Sequence, residues 1–228
     1  MQNRADTPPG MLFPPLKQPE TAMPWLWIGT WSMGGAGFGS TNHQTSLAVL
    51  KKAYRAGFRH FDTAGFYARG RSEELLCKAF RTNRKSVFLS TKGGLVWEGN
   101  TVHHRGSPAD LRTALLASLK RLQTDYLDLY QLHWPDPAVP LGESIAALKA
   151  LQKEGLTRYW GVGNLTCDEL RKEIENDAGI PHQVHHNPIH KNHLVLAAGK
   201  AEGRCANCIT SPLEQGLLAS GPSSEGLR

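Results

Sequence analysis

A chain of 228 residues is long enough to bury one sizeable core, which excludes a disulfide-stapled miniprotein. Hydrophobic residues make up 40% and charged residues 20%, a balance that argues against intrinsic disorder and predicts a packed soluble fold. Lys plus Arg exceed Asp plus Glu by 26 − 20 = 6, which favours an anionic partner without choosing among a phosphorylated cofactor, RNA or an acidic lipid.

In chain order, the first segment carries Pro8, Pro9, Pro14, Pro15, Pro19 and Pro24 and no basic stretch followed by an apolar core. Residues 1–24 are therefore expected to form an extended arm rather than a signal peptide. Residues 21–50 hold no Asp, Glu, Lys or Arg, yet Gly29, Gly34, Gly35, Gly37 and Gly39 keep the stretch far from the ~20 apolar residues of a membrane span. With no export signal, Cys77, Cys167, Cys205 and Cys208 are expected to be free thiols in the reducing cytoplasm. Short β-branched and aromatic runs predict strands over 25–31, 58–61, 87–91, 126–133, 159–162 and 208–211, with a weaker one over 183–187. Between them, helical spacing joins Leu47, Leu50 and Tyr54; Leu75, Leu76, Ala79 and Phe80; Leu111, Leu115, Leu119 and Leu122; Leu141, Ile145, Leu148 and Leu151; and Leu170 and Ile174. Ser107 before Pro108 and Asp110, and Thr166 before Glu169, read as helix caps, while Gly57 and Gly155 read as helix stops.

Strand then helix, repeated about six times, is the pattern of right-handed βαβ units around a parallel sheet. The glycines at 34–39 do not form G-x-G-x-x-G, and no acidic residue follows at a second strand end, so the dinucleotide-binding fingerprint of a doubly wound sheet fails. The expected fold is α/β, a (β/α)8 TIM-type barrel of about seven βα units, forming one domain over 25–228. In such a barrel the reactive residues gather at the carboxyl ends of the strands. Those ends carry Asp62, Lys92 and His133, and Tyr67 sits in the loop fed by the strand that ends at Asp62. An ammonium beside a phenol is expected to lower the phenol's pKa from about 10 towards a range useful for general acid catalysis. Asp62 would hold the lysine and His133 would share a carbonyl oxygen with Tyr67, which is the apparatus of carbonyl reduction. Taken singly, each of these residues reads more readily as a surface ion pair or a satisfied histidine; the argument lies in their grouping. Trp31, Trp97 and Trp134 are placed to wall the mouth.

A rival cluster comprises His182, His185, His186, His190 and His193 followed by Cys205-x-x-Cys208, superficially a zinc spacing. A strand period of two scatters these histidines and points the two cysteines apart, so no metal is expected. No Lys/Arg-rich helix with interleaved aromatics accompanies the positive charge, so no nucleic-acid partner is expected either.

The run His60-Phe61-Asp62-Thr63-Ala64 through Tyr67 to Ser72-Glu73-Glu74-Leu75, then Ser90-Thr91-Lys92, then Asp125 through His133 resembles the aldo/keto reductase family. The resemblance implies a catalytic tetrad falling on Asp62, Tyr67, Lys92 and His133, NADPH bound at the barrel mouth, and reduction of a small aldehyde or ketone. It further implies cofactor contacts at Gly29, Thr30 and Trp31, at Asp62, at the carboxamides of Asn164 and Gln183, and at Ser211 and Leu213 in the loop after the seventh strand. Two positions depart from the family: Gly163 lacks the usual serine hydroxyl, and Thr210 stands where an aromatic usually stacks on the nicotinamide. Together they should cost about 1–3 kcal/mol of cofactor binding. After Gly216 only Leu217 to Arg228 follow, so the eighth strand and the Arg-bearing segment for the 2′-phosphate are expected to be missing. Open sheet edges then favour association with a second copy. Two alternatives stand beside the reductase: a barrel subunit of little or no activity that keeps the fold, and a metal-dependent hydrolase built on the histidines.

Overall fold

The computed structural model describes residues 26–35, 41–174, 180–200 and 205–218. The expected arm over 1–24, Gly37 and Gly39, and the tail beyond Leu218 on which the reading of a missing eighth strand rests all lie outside the described residues. The chain divides into two compact units, one up to Gly161 and one from Val162 onward. The division falls inside a strand, where no change of composition marks it.

The first unit contains β1 (Ile28–Gly29), α1 (His43–Arg55), β2 (His60–Asp62), α2 (Arg71–Phe80), β3 (Phe88–Gly93), β4 (Leu95–Glu98), β5 (Thr101–His104), α3 (Pro108–Leu122), β6 (Leu127–Leu132), α4 (Leu141–Lys153) and the greater part of β7 (Thr157–Gly163). Its strands run parallel in the order β1-β2-β3-β6-β7, while β4 and β5 form a separate antiparallel hairpin. Every residue of β3 and β6 is buried, as expected of parallel strands covered on both faces. One face packs on the helices: the Phe61 ring lies 4.4 Å from that of Phe80, and the Tyr130 hydroxyl donates to the Leu111 carbonyl at 2.9 Å. On the other face Phe88 and Leu129 pack with Trp27 and Tyr159, and His60 lies between Trp27 and Phe88 at 5.4 and 5.1 Å between ring centres.

The second unit continues from the end of β7 through α5 (Cys167–Glu173), β8 (Ile180–His185), α6 (His193–Lys200) and β9 (Cys205–Thr210), with β7, β8 and β9 parallel in that order. His182, fully buried, accepts from the Leu165 amide through Nε2 at 3.3 Å and faces Asn207 Oδ1 through Nδ1 at 3.4 Å. That pairing fixes a neutral ring with its proton on Nδ1.

The caps are where the sequence puts them. Ser107 Oγ accepts from the Asp110 amide, and Thr166 with Glu169 closes a capping box. Gly57 and Gly155 take positive φ after α1 and α4. Two elements lack a counterpart in the sequence reading: α6 and the β4–β5 hairpin. The hairpin is signalled by Gly99-Asn100, with φ +58° at Gly99, closing a two-residue loop between Glu98 and Thr101. All four cysteines are free, and among the described residues no helix is long and apolar enough to cross a membrane.

Candidate active site

Because side chains alternate along a strand, Ser90 and Lys92 share one face of β3. The parallel register sets Asp62 beside Ser90 and Lys92 beside Gln131. Polar groups thus accumulate at the carboxyl ends of β2, β3 and β6, where His133 directly follows the last strand residue. The Lys92 ammonium donates to Asp62 Oδ2 at 2.6 Å, to the Thr63 carbonyl at 2.8 Å and to the Tyr67 hydroxyl at 3.5 Å, so its three protons are all placed. Asp62 is held in turn: Ser90 Oγ donates to Oδ1 at 3.0 Å, and Gln131 Nε2 donates to Ser90 Oγ at 2.9 Å. Thr30 is fully buried, with its amide and hydroxyl donating to the Asp62 carbonyl at 2.9 and 3.1 Å. Its side chain serves to position Asp62.

Tyr67 begins a tight turn after β2, its amide donating to the Ala64 carbonyl at 3.0 Å. The next residues, Ala68 and Arg69, have φ of +46° and +57°, a left-handed pair that turns the chain back and leaves the phenol over the strand ends. The turn rests on Arg121 from α3: a Cβ added at Gly70 would lie 2.5 Å from Arg121 Cδ. Arg121 Nε in turn donates at 2.5 Å to Glu73 Oε2, a carboxylate with no exposed surface that also accepts from Thr91 Oγ1 at 2.7 Å.

Aromatic rings enclose the phenol. The His133 ring stands edge-on to Tyr67 at 5.7 Å, Trp31 stacks beside it at 6.1 Å, and Phe66, edge-on to His133, carries Trp97 stacked on it at 4.8 Å. Trp97 lies on the β4–β5 hairpin and donates from its indole to the Phe66 carbonyl at 3.0 Å. Tyr67 and His133 both keep part of their surface open. At Gly29 an added Cβ would meet nothing within 4 Å, so the space beside this strand end is open.

The electrostatics correct one expectation. Burial holds the Tyr67 phenol above its ordinary pKa; Lys92 pulls it down, Asp62 pushes it up, and the net direction is upward. Burial is the largest influence and outweighs the lowering that Lys92 exerts from 3.5 Å, with Asp62 adding to the rise. Burial acts to lower the pKa of Lys92, but the Asp62 charge, seconded by Tyr67, overcomes it and keeps the amine cationic. His133 is driven well below the usual histidine value by burial, with Lys92 and His104 acting the same way, so it is neutral and offers one donor and one acceptor nitrogen.

The structure therefore brings together Asp62, Tyr67, Lys92 and His133, with Gly29, Thr30 and Trp31, in the first unit. Ser90, Gln131 and Arg121 belong with them, although sequence reasoning passed over them. Their signal was polarity out of place: Gln131 follows Leu127 and Leu129 on one face of β6, and Ser90 lies between Phe88 and Lys92 on one face of β3. In the second unit the Asn164 amide, at φ +59°, donates to the Gln183 carbonyl at 2.9 Å, and Gly163 pairs with Gln183 across β7 and β8. Ser211 is half-buried at φ +50°, and Leu213 is 54% exposed. Cys208 Sγ lies 4.0 Å from the Ala206 carbonyl, and among the described residues the metal-sized group of side chains, His185, His190 and Glu214, includes neither Cys205 nor Cys208.

Comparison with known proteins addresses the family and the fold. Residues 26–224 match the model of the aldo/keto reductase family. The chain is similar to the aldo-keto reductase YhdN of Bacillus subtilis, 40% identical over 145 residues that cover 63% of this chain and 44% of that protein. It is similar to the NADH-specific methylglyoxal reductase of Escherichia coli, 31% identical over 222 residues, 90% of this chain and 68% of that one. Among solved structures, an aldo-keto reductase from Klebsiella pneumoniae in complex with NADPH superposes with a TM-score of 0.69 at 32% identity, covering 87% of this chain and 68% of that one. The chain thus spans about half to two thirds of the length of these relatives. The likeness supports the α/β fold of (β/α)8-barrel type read from the sequence, here with seven parallel strands among the described residues.

Proposed function

The chain belongs to the aldo/keto reductase family, and from that premise we propose that it reduces a small aldehyde or ketone to the alcohol, with NADPH as reductant and Tyr67 as general acid. The observation that carries the proposal is the contact of the Lys92 ammonium, anchored by Asp62 and Thr63, with the Tyr67 hydroxyl at 3.5 Å, beside a neutral His133. Since Lys92 donates to the phenol oxygen, the phenol's own proton points away from the ammonium, towards the open side where a carbonyl oxygen would sit. A phenol whose pKa is raised stays protonated throughout the neutral range and has a proton to give. His133 donates a second hydrogen bond to the same oxygen, and the two donors polarise the carbonyl before the proton moves.

The bound nicotinamide supplies the hydride. By family likeness the residues that would hold it are, in the first unit, Gly29, where an added Cβ would meet nothing within 4 Å, and, in the second unit, Asn164 and Gln183, whose carboxamides are the donor and acceptor type that a nicotinamide carboxamide requires. Trp31 would contribute a ring face, and Ser211 and Leu213 would hold the phosphate side. The relative named as NADH-specific makes the cofactor a point to measure rather than to assume. With four free thiols, we place the protein in the reducing cytoplasm.

The test is turnover of a short aldehyde with NADPH and with NADH. Tyr67→Phe should lose at least about 100-fold in kcat while cofactor binding, read by fluorescence, is kept. An unchanged rate would overturn the proposal. Gly163 and Thr210 favour a second reading, a family member that binds cofactor with little turnover; tight NADPH binding with no reduction of any test carbonyl by the unaltered protein would select it.

A further inference from the structure

The second unit holds a group of side chains that the reductase chemistry does not use. At the end of β8, His185 Nε2 lies 2.7 Å from Glu214 Oε2, and His190 Nε2 lies 3.5 Å from Glu214 Oε1. The two imidazole rings are 4.7 Å apart, and one ligand atom from each of the three residues falls within 4.8 Å of the other two. The carboxylate is the least exposed of the three: its side chain keeps 17% of its surface, against 37% for His185 and 53% for His190. A half-buried carboxylate between two imidazoles is therefore approached from the side on which solvent enters.

The arrangement is built into two loops. Asn187, 4% exposed, accepts the Ile189 and His190 amides on Oδ1 at 2.9 Å each, which folds the chain back and returns His190 beside His185. Its Nδ2 donates to the Ser211 carbonyl at 3.0 Å and to Glu214 Oε2, fixing the loop after β9 against the loop after β8. In that second loop Ser211, Glu214 and Gln215 all have positive φ, +50°, +43° and +54°, a backbone few non-glycine residues adopt. The strained turn is what carries the Glu214 side chain back towards the histidines.

We propose that His185, His190 and Glu214 form a binding site for a divalent transition-metal ion of the zinc type. Two imidazole nitrogens and one carboxylate oxygen are a ligand set used for zinc, with metal–ligand bonds of about 2.0–2.2 Å and a further position left for water. Two nitrogens and an oxygen already within 4.8 Å need only small rotations of half-exposed side chains to close on such an ion. The ion would pin the loop after β8 to the loop after β9. The expectation of no metal drawn from the sequence concerned a different set, the histidines with Cys205 and Cys208, and it left out Glu214, the residue on which the two histidines converge. The inference does not rest on the reductase reading, and its test uses no turnover.

The experiment is calorimetric titration of the full chain, freed of metal with a chelator, with zinc chloride, backed by the absorption spectrum of the cobalt(II) form. One equivalent should bind. His190→Ala, at a position whose side chain is 53% exposed, and Glu214→Gln should each weaken binding at least tenfold, and the Cys205→Ser/Cys208→Ser double variant should bind as the parent does. Thermal unfolding of the parent, and not of His190→Ala, should move upward with zinc. No zinc uptake would overturn the proposal. So would uptake that His190→Ala leaves unchanged, or a cobalt spectrum dominated by thiolate charge transfer, which would assign the ion to the cysteines.

Discussion

The Lys92 ammonium has two tasks. It pairs with Asp62 at 2.6 Å and orients Tyr67 at 3.5 Å, and the lowering it exerts on the phenol is outweighed by burial. The phenol therefore keeps a raised pKa, and the lysine's value to it is geometric: it occupies the oxygen's acceptor side and aims the proton outward. Two consequences can be measured. Since burial drives His133 well below its ordinary pKa of 6.5, kcat should show no inflection near pH 6.5, and since the Tyr67 pKa is raised, kcat should stay level to above pH 9. A profile that falls with a midpoint near 7 would contradict both directions. Lys92→Met removes a cationic donor to the phenol and should lower kcat at least tenfold. It should also remove the charge that restrains the Tyr67 pKa and leave Asp62 without its ion pair; Lys92→Met/Asp62→Asn should be the better folded of the two variants, with kcat still low.

At the scale of elements, the placement of Tyr67 depends on groups far from it in sequence. The turn after β2 lies over Arg121 of α3, which is tied to the buried Glu73 of α2, which is tied to Thr91 of β3. Removing Arg121 would leave a carboxylate with no exposed surface facing a vacated space, a loss of about 3–5 kcal/mol for a broken buried pair. Arg121→Ala should lower the unfolding free energy read from urea titration by that order and reduce kcat, whereas Glu73→Gln/Arg121→Ala should recover part of the stability, because no charge is then stranded. Equal losses in the single and the double variant would show that the pair has no such role. This is also where sequence reading reaches its limit. Asp62, Lys92 and His133 are legible because a parallel strand delivers its last residues to one end, and the caps at Ser107 and Thr166 are legible because each is settled within four residues. Arg121 and Glu73 are 48 positions apart and sit on helix faces whose polar residues ordinarily meet water, so no local pattern marks them as partners. The same holds for Glu214, which lies 29 residues from His185 and lacks the spacing of a motif. The direction of the Tyr67 pKa was read wrongly from sequence for a related reason: spacing shows which charges are near, while burial, the larger influence, depends on the whole packed surround.

For the molecule as a whole, each unit contains a histidine that folding keeps neutral. His60 lies between Trp27 and Phe88 in the first unit, and burial lowers its pKa to about 4; in the second unit burial likewise lowers that of His182 to about 4, against the smaller opposing effect of Asn207. A protonated His182 would also lose the lone pair that accepts the Leu165 amide. In the unfolded chain both rings titrate near the ordinary 6.5, so between pH 6.5 and 4 the unfolded state binds more protons than the folded one. Stability contributed by these two sites is then complete above about pH 6.5, declines as the pH falls towards 4, and is level again below both values. At pH 5 the loss amounts to about 2 kcal/mol for each histidine, at about 1.36 kcal/mol per pH unit. Urea unfolding at pH 7.5 and pH 5 should show it, and near-ultraviolet circular dichroism will follow the first unit, where Trp27 packs on His60. His60→Phe keeps an aromatic ring between the same neighbours but has no proton to take up. Whatever it does to stability at pH 7.5, it should shrink the difference between the two pH values by about 2 kcal/mol in that signal; a difference equal to the parent's would mean that His60 is accommodated equally well in both charge states.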